Sequence, residues 1–352
     1  MAASSTADPL SLGVIGFGGR GESVATAAAD AENVALEAIC DVDPDRVEAA
    51  GAAFPVDTYR EADALLDRDG LEAVAVITRV SGHAPLSVRA MEAGNHVLCT
   101  KPLAANVAEA TRMVATARRT DSVGVVDFQN RFRPCYWTLN GIAADLDPLQ
   151  VLITNQRSMF HERYIRPGYA YGLMDSVSHR IDLANWLVDR TPTAVSASLR
   201  YETFAPGEAI DAVDLRIEYT GGRTANLLAS MGGSGLDEVC QVVGREGNAQ
   251  RADEATVEVR EIAFSEEFGE GKARQRVRDP RLESASPPGD PEAPTTAMVE
   301  AFARRVRGDP DPGIATFEDG LDALLVAKAA VRSHETGDRI TLGELREETV
   351  DV

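Results

Sequence analysis

Lysine is almost missing from this chain: three in 352 residues, at positions 101, 272 and 328, against thirty-two arginines. Aromatic residues make up only 5%, cysteine occurs four times and histidine five times. Each scarcity excludes something. Cys40, Cys99, Cys135 and Cys240 lie far apart with no Cys-x-x-Cys pair and no nearby histidine cluster, which argues against a disulfide framework and against a structural zinc site. No apolar run approaches the roughly 18 residues that a membrane span needs, so no membrane partner is expected. The opening "MAASSTADPL" lacks the basic stretch and apolar core of a secretory leader, and a cytoplasmic location is expected. Positive charge is outnumbered too. The net charge of −21 repels phosphate backbones and excludes nucleic acid as a natural partner. Acidic excess with depleted lysine resembles the composition of proteins from salt-loving archaea, and predicts that folding needs salt to screen self-repulsion.

What is present has a clear rhythm. "LSLGVIGFG" (10–18), "VALEAICDVD" (34–43), "LEAVAVIT" (71–78), "HVLC" (96–99) and "VGVVDF" (123–128) are short apolar runs, as buried parallel strands are. Helical segments alternate with them, at "GESVATAAADAEN", "DPDRVEAAGAA" and "APLSVRAMEAG". Strict alternation predicts a doubly wound parallel sheet over 8–130. From about residue 149 the pattern becomes strand-rich, through "LQVLITNQR", "TAVSASLRYE", "DAVDLRIEYT", "RTANLLASM", "LDEVCQVVG" and "TVEVREIAF". The "TGG" at 220–222 is a tight-turn signal between two of these strands. A second α/β domain with a large, mostly antiparallel open sheet is therefore expected over 131–352. The segment 278–294 reads as a surface loop, and 295–308 and 316–337 as helices.

Within the first strand–helix junction stands Gly16-Phe17-Gly18-Gly19-Arg20-Gly21. A lone GxGxxG is weak evidence, but this one follows a strand, opens a helix and has Asp41 twenty residues beyond at the end of the second strand. That context fits a dinucleotide fingerprint. Glycines allow the tight turn and close approach of pyrophosphate to the helix N-terminus. Asp41 can accept from the ribose hydroxyls and repel a 2′-phosphate, so NAD is expected; Arg46 leaves NADP open.

The segment "LMDSVSHRIDLANWLVDR" (173–190) has helical periodicity. It sets Val177, Ile181, Ala184 and Val188 on one face and Asp175, His179, Asp182 and Trp186 on the other. Asp175 and His179 are one turn apart, so the carboxylate can orient the imidazole and tune its proton affinity. An incidental pair on a helix surface is the alternative.

"GVIGFGGRG", "AICDVDPDR", "ITRVSGHAPLSVRAMEAGNHVLCTKPLA", "FQNRFRP" and "DSVSHRIDLANWL" occur in the order seen in the glucose–fructose oxidoreductase/inositol dehydrogenase (Gfo/Idh/MocA) family. The resemblance covers roughly residues 10 to 200. It implies a Rossmann domain followed by an α/β domain often used for oligomer contacts, here a dimer or tetramer. It also implies transfer of a hydride between a nicotinamide and a hydroxyl carbon of a sugar or polyol. By the same resemblance Lys101, Asp175 and His179 are the catalytic set. Gly16, Phe17, Gly18, Arg20, Gly21, Asp41, Thr78, His83, Lys101 and Pro102 would contact cofactor, and Asp182 would face the substrate side, chiefly as support for His179. From their position ahead of that helix, His161, Arg163 and Tyr164 could line the substrate pocket or equally be ordinary loop residues. No metal is expected. Two departures stand out: Thr100 replaces the family's Glu before Lys101, and Thr78-Arg79-Val80 replaces Thr-Pro-Asn. Arg79 could meet a phosphate or an acidic substrate group. Two rival readings share the cofactor site: a glycoside hydrolase working through transient oxidation, and a non-catalytic dinucleotide sensor, against which the acid–base set speaks.

Overall fold

The computed structural model describes residues 8–158, 172–200, 210–230, 232–264, 275–277, 281–284, 293–310 and 313–350. The chain forms two compact units, Met1–Phe132 with Pro288–Leu324, and Arg133–Pro287 with Leu325–Val352.

The first unit opens with β1 (Leu10–Ile15), α1 (Gly19–Asp30), β2 (Val34–Cys40), α2 (Pro44–Ala53), β3 (Asp57–Tyr59) and α3 (Ala62–Leu66). It continues with β4 (Ala73–Val76), α4 (Val80–Glu92), β5 (His96–Thr100), α5 (Val107–Thr120) and β6 (Gly124–Asp127). These strands are parallel, in the order β6-β5-β4-β1-β2-β3. The chain runs outward from β1 to β3, then crosses to β4 and runs the other way. This reversal, between β1 and β4, is where open α/β sheets hold their ligands, outside the carboxyl ends of the strands. Helices on both faces explain why the strands read as apolar runs: all four residues of β4 are buried. Caps set the helix starts. The Asp43 carboxylate accepts from the Asp45 amide ahead of α2, and the Asn106 side chain from the Glu109 amide ahead of α5.

The second unit begins with α6 (Pro134–Leu146), β7 (Pro148–Ser158), α7 (Gly172–Val188), β8 (Pro192–Arg200), β9 (Ala212–Tyr219), β10 (Thr224–Ser230) and β11 (Gly232–Gly244). Then come β12 (Gly247–Arg251), β13 (Thr256–Phe264), β14 (Gln275–Val277) and β15 (Arg281–Ser284). Neighbouring strands are antiparallel except β7 and β10, which run parallel. In β9 and β10 burial alternates residue by residue, as expected where successive side chains point to opposite faces, and α7 packs on β10. The β9–β10 turn needs its glycines: Gly221 and Gly222 both sit at φ 74°, in the left-handed region.

The chain then runs through α8 (Pro294–Val306), β16 (Ala315–Thr316), α9 (Phe317–Thr336), β17 (Ile340–Thr341) and α10 (Leu342–Val350). The second domain is expected to be continuous over 131–352; by contacts, 288–324 group with the first unit. There α8 packs on α1, and β16 pairs antiparallel with β6. Sequence alone does not betray this return, because a helix buries its apolar stripe equally well against either unit. The loop expected over 278–294 contains β15, whose backbone pairs with β13 from Thr256↔Ser284 to Val259↔Arg281. Its four residues are too few to show a period.

Candidate active site

At the end of β1 the glycines are fixed by space as well as torsion. Gly16 has φ 100°, and a Cβ there would stand 2.3 Å from the Ile77 carbonyl oxygen. A Cβ on Gly21 would lie 1.9 Å from the Gly16 carbonyl oxygen, so α1 packs onto the turn with no room for a methyl. The outer side is open: a Cβ on Gly19 meets nothing within 4 Å, and one on Gly18 only Arg46, at 3.6 Å. Gly18 caps α1 with extended backbone and no side-chain acceptor, which leaves the helix's first amides for an anion. This cradle fits the pyrophosphate of a dinucleotide.

Asp41 follows β2 and is buried. Its Oδ2 accepts from the Phe17 amide at 2.6 Å and its Oδ1 from the Asp43 amide at 3.0 Å, which pins the carboxylate beside the glycine turn. Phe17 is buried and meets Phe54 edge-on at 6.2 Å. The Arg46 guanidinium approaches Asp41 Oδ2 at 3.6 Å while half exposed. Arg20 is turned inward: its Nε and one terminal nitrogen donate to the two oxygens of Asp127 at 2.6 Å each, and the other terminal nitrogen to Thr295 at 3.0 Å. Asp127 is 1% exposed, the pair is bidentate, and Arg20 thereby ties α1 to the end of β6.

Lys101 and Pro102 directly follow β5, on the carboxyl edge that also carries the glycine turn and Asp41. Lys101 is partly exposed and joined to Pro102 by a cis peptide bond. Thr78 follows β4, and its hydroxyl donates to the Arg79 carbonyl at 3.1 Å. Arg79 is exposed. His83, expected to contact cofactor, is 1% exposed, with Nδ1 2.8 Å from the Pro102 carbonyl oxygen and Nε2 3.1 Å from that of Thr78. Burial holds the ring below the usual histidine range, against the pull of those carbonyls.

In the second unit, α7 carries Asp175, His179 and Asp182 as the periodicity predicts. The Asp175 side chain, and His161, Arg163 and Tyr164 entirely, lie outside the described residues. His179 and Asp182 are both buried, so this face of α7 is not a solvated helix surface. Next to His179, Arg180 donates to Glu238 Oε2 of β11 at 2.7 Å. The Tyr136 hydroxyl donates to Glu238 Oε1 at 2.6 Å, and Asn155 reaches Oε2 at 3.3 Å. Burial pushes the Glu238 carboxyl up, but Arg180, the Tyr136 hydroxyl and Arg251 outweigh it and hold it below the usual range. Sequence reasoning missed this cluster and the Arg20–Asp127 pair. The available signal was a charged residue inside apolar context, Glu238 in "LDEVCQVV" and Asp127 in "VGVVDF".

Known proteins resemble the chain over most of its length. The chain is 29% identical over 315 residues to inositol 2-dehydrogenase of Streptomyces avermitilis, covering 87% of this chain and 86% of that protein. To myo-inositol 2-dehydrogenase of Thermotoga maritima it is 25% identical over 354 residues, covering 96% and 99%. The crystal structure of an oxidoreductase from Agrobacterium radiobacter in complex with NAD+, L-tartaric acid and magnesium superposes with a TM-score of 0.81 at 19% identity, covering 96% of this chain and 99% of that one, which shows a shared fold. Residues 10–128 match the model of the oxidoreductase family with NAD-binding Rossmann fold, and residues 171–342 match the C-terminal alpha/beta domain of that family. The chain thus belongs to the GFO/IDH/MocA oxidoreductase family.

Proposed function

We propose that this protein is an NAD-dependent dehydrogenase of a polyol or sugar, oxidising one secondary hydroxyl to a carbonyl. The reading is carried by one observation: Lys101 stands on the same carboxyl edge of the sheet as the open glycine cradle and the pinned carboxylate of Asp41. The relatives named above are inositol dehydrogenases, which favours a polyol over the glycosidase and sensor readings. NAD, when bound, supplies the hydride acceptor. Gly16, Gly18 and Gly21 admit the pyrophosphate, and Asp41 receives the ribose hydroxyls. Asp41 disfavours a 2′-phosphate by charge, while Arg46 beside it gives NADP a foothold.

His179 takes the proton of the substrate hydroxyl as general base. Lys101 donates to the substrate oxygen and stabilises the negative charge that develops there. Asp175 orients the substrate or His179, and Asp182 supports the imidazole. His161, Arg163 and Tyr164 contact substrate. These assignments rest on the motif order and the chemistry of the residue types. The test is a panel of inositols, sugars and sugar acids assayed for NADH formation in molar salt, with Lys101→Met and His179→Ala as controls. Each change should lower kcat by about 10²–10⁴-fold while NAD affinity measured by calorimetry stays within a few-fold. Normal turnover in either variant refutes its role.

We also infer a homo-oligomer formed through the open face of the large sheet. Leu228 and Val239, 50% and 43% exposed, flank Thr154 on three adjacent strands of that face. Light scattering that finds a monomer overturns this. The acidic, lysine-poor composition supports a salt-adapted source, to be tested by a melting temperature that climbs with potassium chloride. Four buried thiols fit a reducing compartment such as the cytoplasm.

A further inference from the structure

The reading above gives Lys101 the task of meeting the substrate oxygen but does not say what holds Lys101 in place. A lysine ammonium rides on a flexible four-carbon stem, so the position of its backbone limits where it can reach. Thr100, the last residue of β5, still pairs with Asp127 of β6. Beyond Lys101, the Leu103 and Ala104 side chains are each 1% exposed and seat the chain on the unit's core. Between these anchors stand Lys101 and Pro102. Pro102 has no N–H, so its carbonyl is the main-chain group through which the protein can fasten it.

That carbonyl faces His83. From the first turn of α4 the imidazole reaches the Pro102 oxygen with Nδ1 at 2.8 Å, and the Thr78 oxygen at the end of β4 with Nε2 at 3.1 Å. Both distances lie within the ordinary hydrogen-bond range. The ring is thus a strut between two adjacent strand-end loops of one unit. Its burial excludes a role as a ligand contact through an open ring edge. A space-filling core histidine would not need a carbonyl oxygen 2.8 Å from its Nδ1, whereas a ring that fastens the Pro102 loop does. Only the imidazolium donates to both carbonyls; a neutral ring donates to one, and the shorter contact makes that one the Pro102 oxygen, which is then fastened to α4.

We propose that His83 is a positioning residue for Lys101, its buried imidazole fastening the Pro102 carbonyl to α4 so that the lysine is presented to the substrate oxygen. This rests on the catalytic reading of Lys101, and the experiment separates the two. A displacement of about 1 Å at a catalytic group costs on the order of 10²-fold in rate. His83→Gln and His83→Asn should therefore lower kcat about 10- to 100-fold on the best substrate of the panel, with the NAD dissociation constant changed less than about threefold. The decisive readout is a cycle with Lys101→Met. If His83 acts through Lys101, His83→Gln lowers kcat in the wild-type background and leaves the residual rate of the Lys101→Met protein unchanged. An equal fold-loss in both backgrounds, or weakened NAD binding with kcat intact, overturns the proposal. Full activity of Lys101→Met alone refutes instead the role of the lysine. A measurement on the unaltered protein stands apart from variant folding: the His83 ring N–H should be protected from solvent exchange in nitrogen-15-labelled protein. Exchange at the rate of an open imidazole rules the strut out.

Discussion

Replacing Glu238 by alanine strips a buried guanidinium of its counter-ion, and the structure allows the loss to be sized. The Arg180 and Glu238 side chains are 4% and 2% exposed, so solvent screens little of their attraction. Glu238 also accepts from the Tyr136 hydroxyl at 2.6 Å, a donor that would be stranded in the core. Breaking a buried ion pair by removing one partner costs about 3–5 kcal/mol, most of it from the charge left behind. At roughly 2–4 °C per kcal/mol for a unit of this size, the melting midpoint of Glu238→Ala should fall by about 6–20 °C. The companion Arg180→Met/Glu238→Leu protein removes both charges and should regain most of that loss. Circular dichroism melts and urea titrations in one constant salt buffer measure both. The pair also sets an acid limit. A carboxyl whose folded value lies below its unfolded value of about 4.3 contributes stability that is complete above that value and disappears as pH falls through the folded one. The acid-side decline of the parent should therefore flatten in the double variant. A cost below about 1 kcal/mol for Glu238→Ala, or a double variant as unstable as the single, would refute the reasoning that the cluster is dry and mutually dependent.

Asp41→Ala should move cofactor preference toward NADP by at least tenfold, about 1.4 kcal/mol, read as the ratio of kcat/KM values; an unchanged ratio places selectivity elsewhere. Gly21→Ala puts a methyl where the Gly16 carbonyl oxygen lies 1.9 Å away. The shift it forces should cost about 1–3 kcal/mol, seen as weaker NAD binding by calorimetry, and undiminished affinity would contradict the packing. Burial raises the thiols of Cys40 and Cys99 to about 11 and about 12. Native protein should thus resist a thiol-specific reagent at mildly alkaline pH and react at all four cysteines once unfolded; rapid labelling of folded protein would speak against their burial.

Much of the first unit could be read directly from residues. Parallel strands buried on both faces must be apolar throughout, and a glycine turn followed by an acid at the next strand end has few other uses, so β1, β2, β4, β5, β6, Gly16 to Gly21 and Asp41 were all legible, whereas the three-residue edge strand β3, which carries no buried apolar run, was not. The helix carrying His179 was legible too, because its 3.6-residue period survives in a segment buried on both described sides. Less visible was anything that depends on which segments meet. The short β15 is defined by its partner β13 and has no period of its own.

Sequence by itself determined the family, the alternation of elements and the candidate chemistry, since these depend on residue type and spacing along the chain. Only the tertiary structure decided that 288–324 return to the first unit, that Arg20 is bound by Asp127 across 107 positions, that Glu238 holds Arg180 across 58, and that His83 braces Pro102. The physical reason is the same in each case. A buried charge or imidazole needs a partner, but nothing in one stretch of chain specifies which distant stretch supplies it; that is fixed when the strands take their order and their ends are brought together.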